Sequence, residues 1–225
     1  MDIYLVRHGE SMGNVNHKVH ETTADHAIPL SSDGFMQAAK AGNWLKDNLP
    51  DRSSLGFFSR GPKRTHRRLW SSPYLRTRQT AKVIHEVVGE PLITDYKEHV
   101  LLCEQQFGLF DGVPDEELPV KYPNEHAHYA KCEKFEGRFF ARLPLGESRF
   151  DVAQRVHQAF GTLHRDAQRN NIHDLVIVAH GVTIRAFVMM WFNLPYEWFE
   201  AEPNPKNCSI RHITDGKDKG YVFTP

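Results

Sequence analysis

Segments of strand length alternate along this chain with longer segments in which apolar residues recur every three or four positions. Residues 3–6, 68–71 and 175–179 predict strands, and a further short strand is expected at 100–103. The tail from 208 to 223 is expected to close the sheet with a hairpin.

Helical periodicity fills the space after the first strand. Residues 33–49 predict an amphipathic helix with Ser32 or Asp33 near its N-terminal cap. Its apolar stripe consists of Phe35, Ala38, Ala41, Leu45 and Leu49.

Three more helices follow along the chain. Ser72 and Pro73 carry the signature of a cap and a first helical position, and Gly89 would end that helix. Ser148 opens another helix through a capping-box pattern, and residues 182–192 form the last one.

Alternating strands and helices predict an α/β fold, a three-layer α/β/α sandwich around a mostly parallel sheet. The length of 225 residues suits a single domain over residues 1–225. Residues 105–147 interrupt the alternation with prolines and carboxylates, and we interpret them as a small inserted cap. Its aromatic residues would form the core of the cap or wall a pocket; they are Phe107, Phe110, Phe139 and Phe140.

Composition excludes several classes of function. The 28 Lys and Arg balance the 28 Asp and Glu, so no nucleic-acid partner is expected. No apolar stretch approaches the roughly 18 residues of a membrane span, and the first residues lack the layout of a signal peptide. Three scattered cysteines favour a cytoplasmic location. No metal or cofactor is expected, because the close histidine pairs fit no metal-binding pattern; they are His17/His20 and His126/His128.

The first strand ends in Arg7, His8 and Gly9, at the carboxyl end where open α/β sheets bind their ligands. Arginine offers a planar fork of donors for phosphate, histidine can form a covalent intermediate, and glycine would let the backbone approach a ligand closely. The strand at 175–179 likewise ends in His180 and a glycine. In a parallel sheet these two histidines can lie side by side.

A third candidate, Arg76, lies in the first turn of the helix after Ser72, where the helix N-terminus also favours a phosphate. Arg78 is two positions further on and must point away from Arg76. We therefore interpret Arg78 as a surface charge.

Together these segments resemble the histidine phosphatase (phosphoglycerate mutase-like) superfamily. The resemblance rests on the RHG motif, an SSxxxRxxQTA helix, a mid-chain glutamate in LLCEQQFG and the later His-Gly, and it covers residues 3 to about 213. Secondary signatures support it, namely Pro29-Leu30 with Gly34-Phe35, Gly146-Glu147-Ser148 and Asn207-Cys208-Ser209-Ile210.

The resemblance implies that His8 is the nucleophile and takes the phosphoryl group on Nε2, while a backbone carbonyl holds its other ring nitrogen. Arg7, Asn14, Arg76 and a cationic His180 would surround the phosphoryl oxygens and stabilise their charge.

Glu104 matches the superfamily's general acid, which protonates the departing alcohol and later activates water. This role requires a raised pKa. Glu10 and Glu21 are the other carboxylates that could come near the pocket.

The resemblance leaves the reaction open between hydrolysis and isomerisation. We expect a phosphomonoesterase acting on a small phosphorylated substrate, with a phosphoprotein as the alternative. Residues 105–147 lack the Arg-Arg pair with which similar cofactor-dependent phosphoglycerate mutases grip their substrate. Carboxylates near the start of this segment also disfavour a multiply anionic substrate; they are Asp111, Asp115, Glu116 and Glu117. A phosphoglycerate mutase-type isomerase and an inactive phosphoester-binding module are the alternatives, and homodimer formation stays open.

Residues 60–68 form a very basic stretch at the end of a loop expected at 51–67. It is either a solvated loop or a surface that recruits an anionic substrate or protein partner through its charges. The cations concerned are Lys63, Arg64, Arg67 and Arg68.

Overall fold

A computed structural model describes residues 1–50, 67–90, 92–93 and 95–225. Within them one sheet contains β1 (Asp2–Arg7), β2 (Arg67–Ser71), β3 (Asp95–Glu98), β4 (Asp174–Ala179), β5 (Ile210–Thr214) and β6 (Lys217–Phe223). Across the sheet the order is β3-β2-β4-β1-β5-β6. The first four strands in this order pair in parallel, and β5 is antiparallel to both of its neighbours. The mostly parallel sheet and the C-terminal hairpin are confirmed.

Eight α-helices lie in the same described residues. They are α1 (Met12–Val15), α2 (Ser32–Asn48), α3 (Leu75–Val88), α4 (Leu118–Lys121), α5 (Pro123–Glu136), α6 (Arg149–Asn170), α7 (Gly181–Phe192) and α8 (Tyr196–Ala201). Both α4 and α5 belong to the cap segment 105–147, which contains no strand of the sheet.

Successive residues of β1 face opposite sides of the sheet. Ile3 and Leu5 belong to a core formed with α6 and α7, whereas Tyr4 and Val6 belong to a second core formed with α2 and α3. The sheet is therefore covered on both faces, which confirms the three-layer architecture. No helix in the described ranges is long and apolar enough to cross a membrane.

Ser31, rather than Ser32 or Asp33, caps α2. Placing Phe35 on the buried stripe is wrong, since this side chain is 40% exposed. The buried row begins at Gly34 instead, because the first turn of α2 packs backbone to backbone against the loop after β1. An added Cβ on Gly34 would lie 2.1 Å from the carbonyl oxygen of Glu10.

The helix predicted from Ser72 and Pro73 begins later, at Leu75, and no side chain caps it. Tyr74 occupies the N-cap position, and the Ser72 hydroxyl lies 2.9 Å from Nε2 of His180. Ser72 and Pro73 precede the helix, so predicting them as its cap and first helical position is wrong.

The strand expected at 100–103 is also wrong. Residues 100–102 form a 3₁₀ turn, and the strand lies earlier, at β3. All four residues of β3 are exposed, so this edge strand carries no alternation of apolar and polar positions from which it could be predicted.

Arg67 and Arg68 do not belong to a solvated basic loop. Both are buried in β2, where Arg67 pairs with Asp174 and Arg68 pairs with Asp95 and Asp166. Neither guanidinium is available to recruit a partner. The rest of the basic stretch, residues 60–66, lies outside the described residues.

Asp174→Asn should lower the free energy of unfolding by about 3 kcal/mol, because it leaves the Arg67 guanidinium buried without its counter-charge. Urea denaturation of both proteins measures the difference. As a control, Glu86→Gln removes an exposed partner of Lys82 on α3 and should change stability by less than about 0.5 kcal/mol. Equal effects of the two substitutions would contradict the structural role of the buried pair.

Candidate active site

His8 and His180 are brought together by the pairing of β1 with β4. Arg7 lies opposite Ala179 in the register, so the next residue of each strand falls at the same edge of the sheet. The backbone amide of His8 donates to the carbonyl of Ala179 (3.0 Å), and the two imidazole ring centroids are 5.2 Å apart. Both side chains are buried. The juxtaposition expected from the sequence is present.

A backbone carbonyl fixes the orientation of the His8 ring. Nδ1 lies 2.7 Å from the carbonyl oxygen of Gly9, which requires the proton on Nδ1 and leaves the Nε2 lone pair available to an electrophile. Burial, Arg76 and Arg7, in that order, hold the pKa of His8 well below its usual range. The imidazole is therefore neutral at neutral pH, as a nucleophile must be.

The positive charge expected on His180 applies to the site with a phosphoryl group bound. Burial, followed by the charge of Arg76, lowers its pKa well below the usual value, so the protein alone favours a neutral ring. Its Nε2 lies 2.9 Å from Oγ of Ser72. Its Nδ1 is buried with no hydrogen-bond partner among the residues described. The neutral ring has one N–H with which it can donate to an anion.

The glycine of the RHG motif allows close packing of the backbone. A Cβ on Gly9 would lie 2.5 Å from the carbonyl oxygen of Gly34, and the amide of Gly9 donates to Oγ1 of Thr80 on α3. The loop after β1 is thus held against the first turn of α2 and against α3.

Two arginines supply the positive charge. Burial lowers the pKa of Arg7, whose Nη1 donates to the carbonyl of Pro205 while its buried Nε has no hydrogen-bond partner in the described ranges. Arg76 lies in the first turn of α3, and both arginines act electrostatically on His8 and Glu104. Arg78 is exposed and pairs with Glu98, as its interpretation as a surface charge requires.

Asp25 was not among the candidates, and it binds Arg76 in a bidentate manner. The Nη1–Oδ1 and Nη2–Oδ2 distances are 2.8 and 3.1 Å, and Nη1 also donates to the Asp25 carbonyl. The Arg76 guanidinium further lies 5.0 Å from the centre of the Tyr74 ring, whose edge contacts the imidazole of His180. No local signal marks Asp25, since the contact spans 51 residues.

Glu104 lies in the loop between the 3₁₀ turn at 100–102 and the cap. Desolvation of its carboxyl raises the pKa, against the opposing influence of the Gln105 amide and the two site arginines. Its Oε1 accepts from the Gln105 amide (3.0 Å) and lies 3.5 Å from Oγ1 of Thr183, three residues beyond His180. The expected direction of the pKa shift is confirmed.

The two other carboxylates that could come near the pocket have different surroundings. Glu10 accepts a hydrogen bond from the hydroxyl of Ser31, and Glu21 is exposed at the end of a 3₁₀ turn.

Asn14 lies on α1, and the oxygen of its side-chain amide accepts hydrogen bonds within the protein. Its Oδ1 completes a capping box with Ser11 and accepts from Nδ2 of Asn207. Asn207 also donates to the carbonyl of His8 (3.1 Å), so it ties α1 to the loop that carries the nucleophile. The Asn14 amide nitrogen is left as the group that can donate to an anion.

A cavity of about 610 Å³ lies under the cap, whose residues form most of its wall. Its lining includes Gln105 and Val182, the neighbours of Glu104 and Gly181 in sequence, but none of His8, His180, Arg76 or Glu104. Phe107 and Phe110 line this cavity, whereas Phe139 packs on α8 against Phe199. The cap therefore borders a space large enough for an organic group, and this space is linked to the site through the residues next to Glu104 and Gly181.

Comparison with known proteins agrees with this geometry. The model of the histidine phosphatase superfamily (branch 1) matches residues 3–223, and the chain belongs to this superfamily. Within the described residues no group of three or more His, Cys, Asp or Glu side chains is arranged to hold a metal ion.

The chain is similar to curated proteins of two kinds. It is 36% identical to the phosphoglycerate mutase-like protein AT74 of Arabidopsis thaliana over 97% of this chain and 66% of that protein, slightly less than two thirds of its length. It is 28% identical to the broad-range acid phosphatase DET1 of Saccharomyces cerevisiae over 92% of this chain and 83% of the other. A mycobacterial glucosyl-3-phosphoglycerate phosphatase shares the fold, with a TM-score of 0.69 at 22% identity over 95% of this chain and 90% of that one.

Arg76→Ala should weaken the binding of inorganic phosphate by roughly 10- to 100-fold, the loss expected from one charged hydrogen-bonding partner. Isothermal titration calorimetry measures the dissociation constant. The matched control is Arg78→Ala on the same helix, which should bind phosphate like the unaltered protein. Equal binding by all three proteins would show that the anion site does not include Arg76.

Proposed function

We propose that the protein is a phosphomonoester hydrolase that works through a covalent phosphohistidine on His8. The observation that carries this proposal is the buried pair of histidines, with Nδ1 of His8 hydrogen-bonded to a carbonyl and Nε2 left for the phosphorus atom. Membership of a superfamily with phosphatase relatives supports it.

In the first step the phosphoryl group would lie between Arg7, Arg76 and His180, whose donors offset the charge on its oxygens. Nε2 of His8 attacks phosphorus as the bond to the alcohol oxygen breaks. Glu104, protonated because desolvation raises its pKa, gives its proton to that oxygen. The products are the free alcohol and phosphohistidine.

In the second step the Glu104 carboxylate takes a proton from water, whose oxygen attacks the phosphohistidine. The N–P bond breaks, its electron pair returns to Nε2 of His8, and inorganic phosphate leaves. Glu104 is then protonated again, and the neutral imidazole is restored for another cycle.

The charges of the cavity favour hydrolysis over a mutase reaction. A mutase must hold a second anionic group of its substrate. The wall of the described cavity carries the carboxylates Asp111, Asp115 and Glu133, which would repel such a group. A substrate with a bulky alcohol portion that carries no second phosphate fits this wall best.

His8→Ala should abolish phosphate release, because no other residue of the site presents an imidazole in the same orientation. A panel of phosphomonoesters that includes 3-phosphoglycerate, with and without 2,3-bisphosphoglycerate, measures phosphate release and isomerisation together. Rapid quenching of the unaltered enzyme should trap an acid-labile phosphoenzyme that His8→Ala lacks. Isomerisation without release would establish the mutase, and negligible release by both proteins would favour a binding module.

The pH profile of kcat/KM should reflect both perturbed groups. His8 must be neutral, so activity is lost only as the pH falls through its lowered pKa. Glu104 must be protonated for the first step, so kcat/KM declines as the pH rises through its raised pKa. Glu104→Gln should remove this decline of kcat/KM at alkaline pH. Any change of kcat/KM that is caused by ionisation of the substrate's own phosphate group should stay. An alkaline limb that persists unchanged in this variant would assign the proton to another group.

A further inference from the structure

The loop that carries Glu104 lacks regular secondary structure, and its backbone needs partners from elsewhere. Residues 103–107 follow a 3₁₀ turn whose last carbonyls have no partner of their own within the turn. The precision with which Glu104 meets the alcohol oxygen therefore depends on what holds these carbonyls.

One side chain, Arg155 on α6, holds three of them. Its Nη1 donates to the carbonyls of Leu101 and Cys103, each at 2.8 Å, and its Nη2 donates to the carbonyl of Glu104 at 2.9 Å. The guanidinium thus contacts the backbone both before Glu104 and at Glu104 itself.

Glu147 holds that guanidinium in place. Its two carboxylate oxygens accept from Nε and Nη2 of Arg155, at 2.7 and 3.0 Å, in the planar bidentate geometry that fixes an arginine most strongly. The same carboxylate accepts from the amide of Gln106, and the Glu147 carbonyl accepts from the side chain of Gln105. Both ends of the loop are fastened to one ion pair.

We propose that Arg155 and Glu147 form a clamp that positions Glu104 for proton donation. This inference rests on the proposed function, because it assigns to the clamp the accuracy of a step in which Glu104 acts. Arg155 works through the backbone and touches no reacting atom, so it is a positioning residue. Thr183 adds a further contact from α7, where its hydroxyl donates to the Cys103 carbonyl at 2.7 Å.

A lysine cannot replace the arginine, since a single ammonium cannot hold three carbonyls and a bidentate carboxylate in one plane. Arg155→Lys should therefore keep the charge and the fold but hold the loop of Glu104 less firmly. Glu147→Gln should loosen it to a smaller degree, because the amide still offers one acceptor to the guanidinium.

The dependence on leaving group separates this role from a purely structural one. p-Nitrophenolate departs without a proton, whereas the alkoxide of β-glycerophosphate needs one. Arg155→Lys should lower kcat/KM for β-glycerophosphate about 100-fold, the order contributed by a well-placed general acid, and that for p-nitrophenyl phosphate less than about tenfold. The variant Arg165→Lys, which alters an exposed arginine of the same helix, should match the unaltered enzyme on both substrates.

Glu104→Gln provides the reference, since removal of the acid must give at least the same preference for p-nitrophenyl phosphate. If Glu104→Gln shows no such preference, the role of Glu104 fails and the clamp fails with it. If Glu104→Gln shows the preference while Arg155→Lys and Glu147→Gln lose equal factors on both substrates, or lose nothing, the clamp alone is overturned. Circular dichroism melting curves identify any variant that loses activity by unfolding, and Glu147→Gln then decides the outcome.

Discussion

The parallel register between β1 and β4 is the constraint on which the candidate site depends. It places the residue after each strand at the same edge of the sheet, and in both strands that residue is a histidine. A shift of one residue in this pairing would also exchange the two faces of β1, because successive side chains point to opposite layers. The two cores that bury Ile3 and Tyr4 on opposite sides therefore also fix the distance between the imidazoles.

Burial of charge is the second determinant of the chemistry. Two arginines and two histidines lie together, and burial, reinforced by the charges of the arginines, lowers the pKa of both rings, since burial and like charge act in the same direction on an imidazole. Desolvation acts in the opposite direction on the carboxyl of Glu104 and favours its protonated form. The same enclosure thus favours a neutral imidazole with a free lone pair on Nε2 and a protonated carboxyl.

The residues that hold the site come from distant parts of the chain and belong to no motif. Asp25 holds Arg76 across 51 residues, and Arg155 holds the Glu104 loop across a similar separation. Asp25 lies on a 3₁₀ turn and Arg155 lies on an amphipathic helix, and neither is marked by the residues next to it in sequence. Pairing of this kind depends on how helices and loops pack on the sheet, which periodicity does not encode.

The alternation of strands and helices, the two strand ends with His-Gly and the helix that carries Arg76 could be predicted from the sequence, because these follow from local periodicity and residue chemistry. The sequence pattern misplaced β3, Phe35 and the role of Ser72, where exposure or a distant partner overrides the local pattern. Folding in three dimensions was needed to bury Arg67 and Arg68, to lower the pKa of His180, and to bring Arg155 and Glu147 to the loop that carries Glu104. Burial and the charges of distant neighbours set these properties, and both exist only once the chain has folded.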